Sequence, residues 1–369
     1  MSIRLGTIPA IVVSSPKVAS LFLMTHDTHF ASRPRIETSD YLSYGSKGMA
    51  FAEYGPYWRN VRKLCTSKLL SASKTESFAA LRKEEIASLV QSLKKSAMAG
   101  EAVDRSWKIG EAVEDIAKMM ILGRIKDDKS SRFKMAWPCV LETKSRQRHW
   151  IVKAIEKSQQ ANRSNTIEKV IAEHELDSTN DQHRDFVDVL LLLKNKPLNP
   201  QDEDVYMIDQ TNIKAILIDL ISAAFDTSAT AVEWTISELL RNPRLMEKLQ
   251  EEVQSVIDME RIVEERDLGM LSYLNMVVKE SLRLHPIAPL LAPRECREDI
   301  TIEGYWIQKK SRKIVNTWAI GQDQNVWPNN VEEVYPERFM ERDIDVLGPD
   351  FELYHLGLVE ECALECNRA

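Results

Sequence analysis

Lys279-Glu280-Ser281-Leu282-Arg283-Leu284-His285-Pro286, with Pro336-Glu337-Arg338-Phe339 further along, is the stretch on which the reading of this chain turns. Glu280 and Arg283 stand at i and i+3, so on a helix they share one face. Arg338, delivered from a distant loop, can complete a three-charge cluster. Burying such a cluster seldom adds stability, because desolvating each ion costs several kcal/mol. Its use is to fix geometry. An isolated E-x-x-R pair is more often a surface salt bridge worth about 0.3–0.5 kcal/mol, so the surrounding residues decide between the two.

The chain has 369 residues, of which 44% are hydrophobic, which is ample for a sizeable core and points to one large helical domain. A net charge of -7 and a pI near 5.7 argue against a nucleic-acid surface. Cys65, Cys139, Cys296, Cys362 and Cys366 are odd in number and sparse, which fits a reducing compartment. No signal peptide or membrane span is legible: the long apolar run at 213–220 carries Lys214 and Asp219 and is too short to cross a bilayer. No His pair has metal-protease spacing and no G-x-S-x-G elbow occurs, so non-heme metal enzymes and hydrolases have little support.

Punctuation and period predict the elements. Opening strands lie within residues 2–13, and Ser15-Pro16 reads as an N-cap with proline at the first helical position. Helices are expected at 57–70, 75–96, 109–122, 166–174 and 186–194, and brief strands at 300–302 and 314–316. The segment 41–48 is loop-like by its Gly and Ser content. A long helix over 211–241, ~45 Å at 1.5 Å per residue, carries Ile213, Ile216, Leu217, Leu220 and Ile221 at helical spacing. Asn242-Pro243 stops it and caps the next helix.

The K-E-S-L-R-L-H-P wording, Asn316-Thr317-Trp318-Ala319-Ile320-Gly321, Val326-Trp327 and the P-E-R-F segment together resemble the cytochrome P450 superfamily, in its plant microsomal A-type branch, over residues 3–353. The resemblance implies a mainly α fold with small β-sheets, the cytochrome P450 fold, incomplete at both ends. It gives Glu280, Arg283 and Arg338 the task of locking the core that holds the heme. It implies a heme-thiolate monooxygenase that inserts one oxygen atom of O2 into a small lipophilic plant metabolite. NADPH would be used indirectly, through NADPH-cytochrome P450 reductase. Trp58 and Arg62 would bind heme propionates by charge-assisted hydrogen bonds; on the residues alone they are a cation-π pair or a solvated basic face. Ala223 and Ala224 match small residues that leave room for dioxygen, although many relatives have glycine at the second position. Asp226 and Thr227 would relay protons, or the hydroxyl simply bonds back to the preceding turn. Ala288, Leu290 and Leu291 would face substrate, the 41–48 loop would cover it, and Arg294 would add a propionate contact or be a surface cation. His285, at a helix end beside a proline, reads as packing and capping. The family resides on the cytosolic face of the endoplasmic reticulum membrane. This chain opens on its strand pair in place of the family's anchor, which leaves a soluble cytoplasmic protein as an expectation.

Residues 354–369 break the resemblance, because the cysteine loop F-x-x-G-x-R-x-C-x-G of the family is not there. Permitted codons for these residues, regrouped one nucleotide earlier, encode P-F-G-S-G-R-R-M-C-P-G-M-Q, which is that loop. A one-nucleotide frame change near Leu353 explains the tail. Cys362 is a weak substitute for the ligand: it sits one position early, Leu358 replaces a small residue, and Glu361 puts an anion where a propionate-binding Arg belongs. A zinc site from His355, Cys362 and Cys366 lacks a fourth ligand. Residues 131–165 also depart from the family, and regrouping 154–165 yields the family-like Q-S-R-K-V-S-K-R-I-D-Q. The chain therefore divides into a P450-like domain at 1–353, atypical at 131–165, and an aberrant tail with no expected metal ligand. The competing reading is a non-enzymatic remnant, from a pseudogene or a mispredicted product, or a binding protein.

Overall fold

Gly6, at φ 65°, turns the first strand back on the second. Strands β1 (Ser2–Leu5) and β2 (Ile8–Val13) pair antiparallel with Ile3 opposite Ala10. Pro16 occupies the first turn of α1 (Pro16–Ser20), and Ser15 is extended as a cap residue is, but its hydroxyl makes no cap bond. The helix then widens into a π-turn at Leu21–Thr25. The computed structural model describes residues 1–35, 43–123, 166–176, 185–198, 206–257, 261–328, 330–340, 342, 344 and 350–353. Readings placed on 41–42, on 131–165, on the 354–369 tail and on its His355, Cys362 and Cys366 lie outside them.

The chain divides into two units, one of residues 1–34, 71–116 and 222–369 and one of 35–70 and 117–221. After α2 (Pro56–Leu64), which belongs to the second unit, the first unit takes up α3 (Ala72–Glu76) and α4 (Ala79–Met98), so the single helix expected at 75–96 is two. The break falls at Ser77-Phe78, and Ser71 caps α3 by accepting from the Lys74 N–H at 3.3 Å. In the unit's sheet β6 (Arg312–Val315) runs parallel to β2 and β3 (Arg294–Glu295) antiparallel to β6, which gives the order β1-β2-β6-β3. Strand β6 ends one residue before the expected limit because Asn316 leaves it to cap the next helix, its Oδ1 accepting the Ala319 N–H at 2.9 Å. A hairpin of β4 (Ile300–Ile302) and β5 (Tyr305–Ile307) stands apart from that sheet. Val13, Phe22, Phe30, Leu291, Cys296, Val315, Ile320 and Phe351 meet in the core between sheet and α1.

The second unit carries α2 with Pro56 in its first turn, a π-turn at Cys65–Leu69, and α5 (Arg105–Leu122), whose last residues lie here. It also holds α6 (166–176) and α7 (Phe186–Leu193), capped by Asp185 accepting the Asp188 N–H at 3.0 Å.

Helix α8 (Gln210–Arg241) begins in the second unit and ends in the first. By length and composition it could cross a membrane, contrary to what its short apolar run suggested. Asp219 in its middle and the full burial of Ile213, Ile216 and Leu217 make it a core helix of a folded body. Pro243 starts α9 (Pro243–Val256), but Asn242 does not cap it: its amide donates back to the Glu238 carbonyl at 2.8 Å and closes α8 instead.

Candidate functional site

Helix α10 (Ser272–Leu284) delivers Glu280 and Arg283 fully buried on one face, and the 3-10 turn Pro336–Phe339 brings Arg338 to them. Glu280 accepts from Arg283 Nε at 2.8 Å and Nη2 at 2.9 Å, a fork that only a guanidinium makes. The same carboxylate accepts from Arg338 Nε at 3.0 Å and from the Tyr335 N–H at 2.9 Å. Arg283 also donates to the carbonyls of Gly321 at 2.6 Å, Val331 at 2.8 Å and Glu333 at 3.3 Å. Every donor of the fork is matched, which is the condition for burying an ion pair without a large penalty. The cluster ties α10 to the end of α11 (Thr317–Gly321) and to the chain from 331 to 338. Glu337, beside Arg338, turns to α9, where it meets Arg244 at 2.8 Å and Lys248 at 2.6 Å. Desolvation raises its pKa, but the two cations outweigh it and hold the carboxyl at about 2.

The residues after α10 stay in the same unit. His285 stacks on Trp234, ring centroids 3.8 Å apart, and its Nε2 lies 2.9 Å from Glu238 Oε1. That is packing at a helix end. Leu291 closes a turn on Ala288 with φ 46°, a strained value for a branched side chain, and its side chain joins the core and is not open to a ligand. Ala288, half-buried, packs against that core, and Leu290, 44% exposed, is the most open of the three. Arg294 is buried at 5% in β3, which removes the surface-cation alternative.

Ala223, Ala224, Asp226 and Thr227 lie on an unbroken part of α8. The Thr227 hydroxyl donates to the Ala223 carbonyl at 2.6 Å, the back-bonded arrangement. With its proton so engaged, Thr227 Oγ1 retains lone pairs that can accept a proton-bearing partner. Asp226 is exposed.

In the second unit, Trp58 and Arg62 sit one turn apart on α2 with the guanidinium 4.8 Å from the ring centroid. Arg62 is 2% exposed, so a solvated basic face is ruled out. The Trp58 indole N–H donates to the Met49 carbonyl at 3.0 Å, so it is held by the loop and is not presented as a free donor to a propionate.

A cluster that sequence spacing did not signal lies in the same unit: the ligand-type atoms of His174, Asp185 and Asp188 lie within 4.8 Å of one another. His174 is on α6 and the acids are at the start of α7, so no local pattern joins them. His174 Nδ1 is 2.8 Å from Asp188 and Nε2 is 3.1 Å from the Leu122 carbonyl, so two acceptors face the ring and the imidazolium satisfies both. Desolvation lowers the His174 pKa, but Asp185 and Asp188 outweigh it and hold it above the ordinary value. Burial pushes Asp185 up to about 6. Gly123 admits this packing, since a Cβ there would lie 2.1 Å from Asp185 Oδ2. A histidine pKa raised by folding gives stability that is full below about pH 6.5 and is lost as pH rises through the folded value. Asp185, also raised, weakens the fold over the lower window from about 4 to about 6 as it ionises. Urea melts are therefore expected to lose stability above about pH 6.5, and His174→Gln to flatten that limb. A variant with an unchanged limb would show that the slope arises elsewhere.

The sequence model of the family described as Cytochrome P450 matches residues 1–353. Among curated proteins, cytochrome P450 CYP736A12 of Panax ginseng is 47% identical, over 97% of this chain and 74% of its own length. Amorpha-4,11-diene 12-monooxygenase of Artemisia annua is 37% identical over 97% of this chain and 73% of its own. A zebra fish cytochrome P450 solved with progesterone superposes with a TM-score of 0.79 at 25% identity, covering 92% of this chain and 81% of that one. The chain belongs to the cytochrome P450 family, whose members are heme monooxygenases, and its relatives place it with the plant A-type branch.

Heme is the cofactor of this family, and its propionates call for cations. Arg62 and Arg294, each buried in its own unit, are guanidiniums of the kind that pair with propionates. A thiolate that would hold the iron has no counterpart in the two described cysteines, Cys65 and Cys296. Burial raises the Cys296 thiol, which donates to the Glu298 carbonyl at 3.0 Å, and Cys65 is wholly enclosed. Thiolate ligation requires a residue outside these two.

Proposed function

We propose that this chain is of a heme-thiolate monooxygenase lineage acting on a small lipophilic plant metabolite, and that residues 354–369 impair it by replacing the cysteine loop. The observation that carries the lineage is the buried Glu280–Arg283–Arg338 lock beneath a sequence match that spans 1–353. The hydroxylase and monooxygenase names of several relatives support the substrate class. Electrons would come from NADPH-cytochrome P450 reductase at the cytosolic face of the endoplasmic reticulum.

Thiolate-bound heme supplies the reduction of O2 and the transfer of one oxygen atom to substrate. The protein's part falls to its own side chains. In the first unit Arg294 would pair with a carboxylate and Leu290 would offer apolar surface; in the second, Arg62 would pair with a carboxylate. Asp226, being exposed, would exchange protons with water, and Thr227, whose hydroxyl hydrogen is donated to the Ala223 carbonyl, would accept a hydrogen bond from a proton donor on its Oγ1 lone pairs.

The second reading, a remnant that keeps part of the fold without turnover, is favoured by the tail itself, whose residues carry no F-x-x-G-x-R-x-C-x-G. A reduced carbon-monoxide spectrum tests both. The chain as encoded is expected to give no thiolate-type Soret band, and a chain carrying the regrouped sequence after Leu353 is expected to give one. A thiolate band from the encoded chain would overturn the impairment. Its absence from the restored chain would overturn the monooxygenase reading.

A further inference from the structure

One carboxylate joins the 43–50 loop to helix α8. Asp219 is 6% exposed. It accepts from Ser43 Oγ at 3.0 Å, from the Met49 N–H at 2.8 Å and from the Ala50 N–H at 2.9 Å. Gly48 permits so close an approach, since a Cβ there would lie 2.0 Å from Asp219 Oδ2 and 3.1 Å from the Ala215 carbonyl oxygen. The other side of the Met49 peptide faces α2, where its carbonyl receives the Trp58 indole N–H at 3.0 Å. The Trp58 ring in turn lies against the Arg62 guanidinium, 4.8 Å away. All of these residues are in one unit.

Stability alone does not account for an acid here. Taking a carboxylate out of water is costly even when it is hydrogen-bonded, and an apolar residue at this position of α8 would continue the buried stripe of Ile216 and Leu220. What the acid adds is direction: two adjacent backbone N–H groups and a hydroxyl converge on two oxygens, which admits one loop conformation. Burial pushes its pKa up to about 6. The protonated form can still donate to Ser43 Oγ, so the contact has a bonded arrangement on either side of that value.

We infer that Asp219 is a positioning residue that latches the 43–50 loop to α8 and, through the Met49 peptide, sets the Trp58–Arg62 pair for the acidic edge of the cofactor. The clause on the cofactor rests on the monooxygenase reading; the latch does not. Hydrogen exchange on the full chain tests the latch. Asp219→Asn replaces an acceptor by a donor facing N–H groups, and the Met49 and Ala50 amides are expected to exchange about tenfold faster or more, with peptides around Glu280 and Arg283 unchanged. Equal exchange at 49 and 50 would overturn it. Should that variant not fold, Ser43→Ala, which removes one donor and keeps the carboxylate, is expected to quicken the same segment by about threefold, and no change there would overturn the latch equally.

Titration with hemin of the full chain carrying the regrouped sequence after Leu353, followed by its Soret absorbance, tests the second clause. Asp219→Asn is expected to weaken uptake by about tenfold, as a displaced Arg62 would. Faster exchange with unchanged hemin affinity would overturn the cofactor clause. A restored chain with Asp219 intact that takes up no hemin would count against the monooxygenase reading, with the latch judged on exchange.

Discussion

Glu280→Ala is expected to destabilise the first unit by about 3–5 kcal/mol, a large fraction of the roughly 5–15 kcal/mol typical of a domain. The carboxylate is fully buried and receives four hydrogen bonds, two from Arg283, one from Arg338 and one from the Tyr335 N–H. Removing it leaves a guanidinium at 0% exposure and one at 5% without their counter-charge. Neither can turn to water without dragging α10 or the 331–338 chain with it. Glu280→Gln keeps one carbonyl oxygen but points an amide at a guanidinium, so it is expected to fall between wild type and alanine. Urea unfolding followed by circular dichroism reads the order. A loss below about 1 kcal/mol for the alanine variant, the scale of an exposed pair, would show that the cluster does not hold the fold.

Gly321→Ala is expected to cost about 2–4 kcal/mol, a large effect for one methyl group. Its Cβ would stand 2.4 Å from the Arg283 carbonyl oxygen and 3.6 Å from Arg283 Cγ. The obstacle is backbone, which cannot rotate away as a side chain can. Relief requires α11 to move from α10, and that motion stretches the 2.6 Å bond from Arg283 Nη1 to the Gly321 carbonyl. Overpacking and a lost charge-assisted bond therefore act at one point. The Glu280→Ala, Gly321→Ala pair is expected to be sub-additive, since both act on Arg283. Thermal melts of the singles and the double measure this, and strict additivity would show that Gly321 acts independently of the cluster.

Much of this was legible in the chain. The i, i+3 spacing put Glu280 and Arg283 on one face, and the apolar stripe from Ile213 to Ile221 marked the long helix. Proline at positions 16, 56 and 243 stands in the first turn of three helices. Local competition between hydrogen bonds was not legible: Ser15 and Asn242 have the right residue type for caps, but neither side chain caps the helix that follows. The same holds at Trp58, whose indole N–H is bound by the Met49 carbonyl.

Asp219 shows where sequence reading ends. In the chain it is an acid interrupting an apolar run, and its partners are on a segment about 170 residues earlier. His174 with Asp185 and Asp188 is a like case, assembled from the ends of separate helices. Period and punctuation follow from forces acting within a turn or two of helix, so the residue order determined the elements, the charged face of α10 and the family. Which carbonyl a buried guanidinium reaches, and which loop a buried carboxylate holds, depends on groups brought together only when the core excludes water. Tertiary packing decided those.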